Sequence, residues 1–523
     1  MTRVGPRDMK AGCIITNDPP DWPPQGIALH QPYRGGTMDL LTSQPLSTQL
    51  IPTMTSRHLI LLSVILFTGA TTSPAGDPVP ETDWRQFRGP AASGVGRGYQ
   101  LPESWNIETG DEVAWQTRIP GLGHSAVIVT GNRVFVTTAV SGIKEAGVKV
   151  GIYGNIASVD DKTAHSWRLL CLDRGTGEVL WNQCLHRGVP RIKRHTKATH
   201  ANATPVTDGR RIVVSLGSEG LHCFDLDGKR LWKRDLGLLD SGYYQVPAAQ
   251  WGFGSSPILF ENTVIIQCDV QKGSCLAAFS LETGQQLWGI GRDEVPTWST
   301  PTLWRHGNRS QVVLAGYRHS GGYDPRTGQE LWKLTGGGDI PVCTPIAAGD
   351  LMILSSAHGP SRPLRAIRFD ATGDITPKST SGSTRHIAWS LPSDGIYMQT
   401  PILYDGLLYA CRMNGVLGCY DPATGKRFYR ERVGGGVGFT ASPVAADGKL
   451  FFASEDGRVH VVAAGRTYKH LATNPLGEQC MATPSLSGGL LLIRGQDHVF
   501  AIGTPCSLPR STTAASDTTS VQP

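Results

Sequence analysis

One phrase recurs along this chain: an Asp or its stand-in, a turn that ends in Gly, and a Trp or Tyr a few residues later. It is read at Cys171 to Trp181 (CLDRGTGEVLW), Cys223 to Trp232 (CFDLDGKRLW), Ala278 to Trp288 (AFSLETGQQLW), Gly322 to Trp332 (GYDPRTGQELW) and Cys419 to Tyr429 (CYDPATGKRFY). A sixth copy, Ala366 to Gly373 (AIRFDATG), is separated from its aromatic, Trp389, by an insertion. A period of roughly forty to fifty residues implies a stacked or circular array of equivalent units and excludes an ordinary two-domain reading of the chain.

Each copy reads as two strands joined by a tight turn. The residues before the Asp alternate like a half-buried strand, Asp can accept hydrogen bonds from turn amides, and Gly supplies the positive φ of a short hairpin loop. The aromatic stands at a fixed distance from the Gly, where a flat ring can seal one sheet against the next. Trp115, Trp181, Trp232, Trp288, Trp332, Trp389 and Tyr429 are therefore expected to dock blades together.

A second signal follows each aromatic, a Ser/Thr-Pro leading into an apolar run: Thr204-Pro205, Ser256-Pro257, Thr300-Pro301, Thr344-Pro345, Thr400-Pro401, Ser442-Pro443 and Thr483-Pro484, with Ala126-Val127 as a degenerate first copy. Pro suits a strand start because its missing amide need not join the ladder. Each unit thus has four strands. The aromatic of EVAW, Trp115, precedes the first unit, while the last unit stops after its third strand at His498 to Ile502. If the segment around Val113 to Gln116 completes that sheet, the ring closes without an exposed edge. The expected fold is all-β: an eight-bladed β-propeller over residues 111–503, with antiparallel four-stranded blades and an N-terminal strand closing the last one.

Composition agrees. The 523 residues include 63 Gly, 35 Pro and 13 Trp with only 18% charged, a turn-rich, aromatic-sealed chain. A formal charge of +6 gives little reason to expect a nucleic-acid partner. Residues 1–53 lack periodicity and read as a disordered upstream extension. From Met54, a basic start, an apolar run Leu59 to Phe67 and small residues near Ala70 and Ala75 follow the layout of a signal peptide, 54–76. The apolar run is short for a membrane span. Residues 77–110 form a lead-in, and the Ser/Thr-rich 504–523 a disordered tail. The expected product is exported, periplasmic or extracellular, monomeric and not inserted in a membrane. An exported chain can form disulfides, and Cys268/Cys275 and Cys411/Cys419 flank short loops; the other reading of these residues is as small buried apolar side chains.

The DxxTGxxLW phrase resembles the tryptophan-docking repeat of pyrroloquinoline-quinone (PQQ) propellers, over nearly all of Trp105 to Gly503, and DWRQFRGP at Asp83 to Pro90 is similar to the lead-in of exported bacterial members. That resemblance implies either of two activities. Some members are calcium- and quinone-dependent alcohol or sugar dehydrogenases; others, such as the B-type lipoprotein of the outer-membrane barrel-assembly machinery, bind proteins without a cofactor. The dehydrogenases hold the quinone under a vicinal Cys-Cys disulfide, with a Trp floor, a Glu/Asn/Asp calcium set and a catalytic Asp. This sequence has no Cys-Cys dipeptide, and its most aligned acid, Asp269, lacks a matching Glu and Asn arrangement. The expectation is a non-catalytic scaffold binding a protein or peptide, with no cofactor and no catalytic residues; a PQQ/calcium dehydrogenase and a carbohydrate- or peptide-binding propeller are the alternatives.

Two groups of residues carry the functional expectations. Residues before each first strand and loops after each second strand should crowd the central channel: Asn202, Trp251, Trp298, Gln399 and Met481 from the former; Glu219, Asp269, His319, His358, Arg412, Glu455 and Asp497 from the latter. Between the first two units, HRGVPRIKRHTKATH concentrates Arg191, Lys193, Arg194, His195, Lys197 and His200, read as a solvated basic loop or an anion- or partner-binding one. His195 and His200 are not assigned to a metal, because their spacing fits neither a helix nor a strand face and no carboxylate adjoins them in sequence. Arg292-Asp293-Glu294 is read as ordinary surface ion pairs, and insertions at 141–166 and 374–386 as blade decorations.

Overall fold

The computed structural model describes residues 82–143, 147–152, 156–379, 384–435 and 437–505, so the readings of the signal segment and of nearly all of the tail lie outside the described residues. Eight sheets each contain a four-stranded antiparallel meander. Blade 1 begins at Ile128–Thr130, and blades 2 to 8 begin at Val206–Thr207, Ile258–Phe260, Thr302–His306, Ile346–Ala348, Ile402–Tyr404, Val444–Ala446 and Ser485–Ser487. These first strands meet one another around the axis. Val113–Arg118 pairs antiparallel with His498–Ile502, making the outermost strand of blade 8 and closing the ring, an eight-bladed β-propeller.

The repeated phrase works as a latch between neighbours. Asp173 Oδ1 accepts the amides of Gly175 and Thr176, each at 2.9 Å, and Asp324 and Asp421 hold their turns the same way. The turn glycines Gly177, Gly284, Gly328 and Gly425 have φ between 67° and 75°. Each lies under the preceding blade's tryptophan: a Cβ on Gly177, Gly284, Gly328 or Gly425 would fall 2.5, 2.6, 2.7 or 2.9 Å from the ring of Trp115, Trp232, Trp288 or Trp389. Gly thus serves both the turn and the ring's close approach. The indole N–H then donates to the carbonyl of the residue just after the turn's Asp or Ser: Trp115 to Arg174 (2.8 Å), Trp181 to Leu226 (3.2 Å), Trp232 to Leu281 (3.0 Å) and Trp389 to Pro422 (2.9 Å).

Two aromatics dock differently. Trp332 is fully buried and donates to Gln311 Oε1 at 2.8 Å, and Gln311 in turn donates to the Phe369 carbonyl at 3.0 Å. The next blade has an insertion at its turn, and Gly373–Asp374 from that insertion adds a fifth, parallel strand to blade 4 against Trp332 and Lys333. Tyr429 meets a turn that lacks Asp; it packs edge-on against Tyr468 at 5.8 Å, and its hydroxyl has no hydrogen-bond partner among the described residues.

The Ser/Thr-Pro signal does more than start strands. Before every one of these Pro residues except Pro345, the hydroxyl accepts the backbone N–H of the equivalent residue one blade earlier: Ala126 to Thr204, Thr204 to Ser256, Ser256 to Thr300, Thr344 to Thr400, Thr400 to Ser442 and Ser442 to Thr483, at 2.9–3.1 Å. This belt circles the axis and satisfies amides that no ladder reaches. It has a gap where Thr344 Oγ1, buried, has no partner among the described residues, and Ala126 offers no hydroxyl to extend it.

The lead-in is part of the propeller. Trp84 bridges Val129 of blade 1, the Arg85 carbonyl accepts the Thr207 amide of blade 2, and Val95 bridges Ala445 of blade 7. Between them Arg88 is fully buried and donates to the carbonyls of Ala92, Ser93, Pro401 and Pro443 at 3.0–3.2 Å. Burial lowers its pKa to about 9. The lead-in thus runs from blades 1 and 2 to blade 7, and its Arg88 fastens the adjacent blades 6 and 7 by carbonyls rather than by a carboxylate.

Of the two readings of the cysteines, the structure shows the second: Cys268, Cys275, Cys411 and Cys419 are buried and not joined as disulfides. Cys268 and Cys275 face one another across a strand pair, whereas Cys411 faces Leu417 and Cys419 faces Tyr409. All four fill apolar clusters as small hydrophobic side chains.

Candidate functional site

A cavity of about 530 Å³ occupies the ring's axis. Its wall carries the belt hydroxyls of Ser256, Thr300, Thr344, Thr400, Ser442 and Thr483, and Phe87 of the lead-in contributes to it. Above the belt lies a run of rings. Tyr243 stacks on Trp251 at 5.8 Å with 6° between planes; Trp298 lies 5.6 Å from Trp251, and His195 meets Trp251 edge-on at 5.2 Å. The run continues from Tyr243 to His358 (6.1 Å) and from His358 to Tyr397 (5.1 Å). Ile152, Ile156, Ile340, Val342 and Met481 add apolar surface. Flat rings, aliphatic patches and scattered hydroxyls are the lining of a site for a neutral, partly apolar ligand.

The charges at this wall are paired within the protein. Lys197 Nζ lies 2.7 Å from Glu455 Oε1 and 2.5 Å from the Gly151 carbonyl. Glu455, fully buried, also accepts Thr440 Oγ1 at 2.5 Å and the Gly151 amide at 2.8 Å. His358 Nδ1 bonds Asp339 Oδ1, and Tyr243 donates to Asp339 Oδ2 at 3.2 Å.

Of the residues assigned to the channel from sequence, Asn202, Trp251, Trp298, His358 and Met481 stand on the wall. The assignment is corrected for Asp269, His319, Gln399, Arg412 and Asp497, and for Glu219 and Glu455, none of which lines the cavity. The cause is geometric. A loop after the second strand begins one strand away from the axis, and such loops reach the wall at Ile152, Ile156, His358 and Met413 rather than at those seven residues. Arg412 instead pairs with Asp394 at 3.3 Å, Glu219 accepts the Arg191 amide at 2.8 Å, Gln399 donates to the Ala441 carbonyl at 2.7 Å, and Asp497 is exposed.

Asp269 is the centre of a buried network between blades 3 and 4. Arg292 Nε lies 2.9 Å from its Oδ1, while Thr297 Oγ1 (3.1 Å) and Gln267 Nε2 (2.5 Å) donate to Oδ2. Arg292 also reaches Tyr323 Oη at 2.5 Å, and His319 Nε2 lies 3.2 Å from the same oxygen. Glu294 accepts the amides of Arg318 (3.0 Å) and His319 (3.1 Å), and burial, then repulsion from Asp269, raises its pKa. The surface-pair reading of 292–294 is therefore corrected: only Asp293, paired with Arg318, is exposed.

The basic loop is likewise internally neutralised. Arg191 pairs with Asp235 (3.0 Å), Lys193 with Asp160 (2.9 Å), Arg194 with Asp161 (2.8 Å) and Lys197 with Glu455. The acids come from elsewhere in the chain, two of them from the 141–166 insertion, whose Ser158–Val159 pairs with Arg194–His195 as a small sheet. Arg191, Lys193, Arg194 and Lys197 are thus matched to acids rather than left as unpaired cations for an anion, with Arg191 and Lys193 at the exposed surface, and His195 and Lys197 belong to the cavity wall. Sequence reading missed Tyr243, Tyr397 and the belt hydroxyls. The hydroxyls stand immediately before Pro and were open to that signal; Tyr397 and Tyr243 carry no periodic mark.

The sequence model of the family described as outer membrane protein assembly factor BamB matches residues 165–339 and 321–467. Together these matches span more than half of the chain, which belongs to this family of PQQ-like repeat propellers. Among solved structures, a europium-containing methanol dehydrogenase is 12% identical, with 80% of this chain covering 90% of that one at a TM-score of 0.53. The quinohemoprotein alcohol dehydrogenase of Comamonas testosteroni is 13% identical, with 82% of each chain covered and a TM-score of 0.50. BamB from Moraxella catarrhalis is 13% identical over 70% of this chain and 100% of its own, at 0.47. At such identities the likeness concerns the fold. No curated protein gives a significant match to the sequence.

PQQ with calcium does not fit the described wall. A quinone bearing three carboxylates needs cations, and its calcium needs six to eight oxygens with carboxylates among them. The described lining includes no Asp or Glu, its single Lys is paired with Glu455, and Asp269 is sealed against Arg292.

Proposed function

We propose that this protein is an exported, non-catalytic PQQ-like propeller that acts as a binding scaffold, and that its central cavity receives a neutral segment of a protein or peptide partner. The observation that carries this reading is the wall itself: stacked rings and hydroxyls, with every described charged group beside them held by an internal partner. Such a surface rewards apolar and aromatic contact and leaves no unpaired acid or base for chemistry. Export rests on the signal-like segment of the sequence; among the described residues no helix is long and apolar enough to cross a membrane.

A thermal-shift screen of peptides and neutral oligosaccharides tests the reading. A ligand at about 100 times its Kd adds about 2.7 kcal/mol of apparent stability. A peptide is expected to raise the unfolding temperature of the natural protein and not that of Trp251→Ala, which removes the central ring of the wall. A shift produced only by oligosaccharides would replace the protein-partner reading with a carbohydrate one. An identical peptide shift in Trp251→Ala would move the site away from the cavity.

A further inference from the structure

The insertion, the third strand of blade 1 and the basic connection meet at a point that no single stretch of sequence reveals. Asp161, His165 and His200 converge there, with one ligand-type atom from each lying within 4.8 Å of the others. Asp161 Oδ2 is 3.0 Å from His200 Nε2, and the two imidazoles stand edge to face at 5.1 Å. We propose that these three residues bind a divalent transition-metal ion of the zinc type, in a structural site that also retains a water.

Ligand chemistry favours that class of ion. Two imidazoles and one carboxylate, completed by water, form a tetrahedral zinc set. With ligand atoms about 2.0–2.1 Å from the metal, neighbouring ligands are separated by about 3.3 Å, so the Asp161–His200 edge already has nearly the required length and only His165 must draw in. Outer contacts favour it too. His165 Nδ1 lies 2.8 Å from the Thr163 carbonyl, which places the proton on Nδ1 and turns the Nε2 lone pair to the metal. Arg194 Nε, 2.8 Å from Asp161 Oδ2, is the hydrogen-bond partner that orients the carboxylate, although its charge opposes the ion.

The bound ion would tie the insertion to the connection that carries His195 and Lys197, two residues of the cavity wall. It would thereby steady one side of that wall without taking part in it.

The test uses the untagged full chain, equilibrated with Zn²⁺ or Co²⁺ and dialysed. Elemental analysis is expected to show one bound ion per chain, and Co²⁺ to give the intense visible bands of a tetrahedral site. His165→Ala should weaken binding by more than about 100-fold, beyond the loss typical of an outer contact, and Lys193→Ala, at the exposed neighbouring pair, should leave it unchanged. Circular dichroism checks the fold of each variant, and His200→Gln replaces His165→Ala if the latter does not fold. Failure of the natural chain to retain either ion at micromolar concentration overturns the proposal, and so does equal retention by folded His165→Ala or His200→Gln.

Discussion

Asp269→Ala is expected to destabilise the folded protein by about 3–5 kcal/mol, the effect of leaving one partner of a buried ion pair alone. Arg292 would remain with 1% of its side chain exposed, with Tyr323 Oη and the more distant Glu294, 3.9 Å away, as its polar partners. Gln267 and Thr297 would lose their acceptor at the same time. Replacing both members, as Asp269→Leu with Arg292→Met, removes the stranded charge and should recover much of the loss. Urea unfolding of the single and double variants reads both effects. A single variant within about 0.5 kcal/mol of the natural protein would mean that the network is open to water, since that is the range of ordinary surface substitutions. The sign matters for function as well. An acid committed to Arg292 fixes the guanidinium that reaches Tyr323 of blade 4, whereas a catalytic acid would tolerate replacement structurally and lose activity.

The second large effect belongs to the latch. Trp232→Ala removes a ring that is 8% exposed, packed on Gly284 and bonded to the Leu281 carbonyl, and should cost about 3–5 kcal/mol as an aromatic core truncation. Leu231→Ala, one residue earlier with the side chain 44% exposed, should change stability by about 0.5 kcal/mol or less. Thermal and urea unfolding distinguish these outcomes. Because Trp232 belongs to blade 2 and its receptor to blade 3, the contrast reports on contact between blades rather than on strand propensity. Equal, small effects at the two positions would remove the Trp–Gly contact as the source of cohesion.

Much of the fold was legible because the repeat joins a local requirement to a distant one. Gly177 or Gly284 satisfies its own turn and also makes room for the tryptophan of the previous blade, so a motif read within one hairpin already encodes the packing of the next. The split blade was legible for the same reason: Trp115 has a receptor at Gly177 and its own strand has a partner at the far end of the chain. Departures occur where the receptor changes. Trp332 and Tyr429 lack a regular Asp-Gly turn beyond them, and neither makes the indole-to-carbonyl bond of Trp115, Trp181, Trp232 and Trp389.

The site was less legible, and the failures share a cause. Charged residues were read by their neighbours in sequence, but their partners lie far away: Lys197 finds Glu455, Arg191 finds Asp235, and His200 finds Asp161 and His165. Periodicity placed residues before each first strand near the axis, which suits Trp251 and Trp298, yet it could not show which residues of the loops after second strands reach the cavity: Met413 does, and its neighbour Arg412 does not. The belt shows the opposite error. Ser/Thr-Pro was read only as a strand start, although the hydroxyl at every such position but Thr344 also had an amide to satisfy on the neighbouring blade.

The central claim is that the axial cavity binds a neutral partner and does no quinone chemistry. Incubating the purified protein with PQQ and calcium, removing free quinone, and recording quinone absorbance together with dye-linked oxidation of alcohols and sugars tests it most directly. The account predicts no retained quinone and no turnover above the protein-free control. Stoichiometric retention with calcium-dependent oxidation of any alcohol or sugar would contradict it.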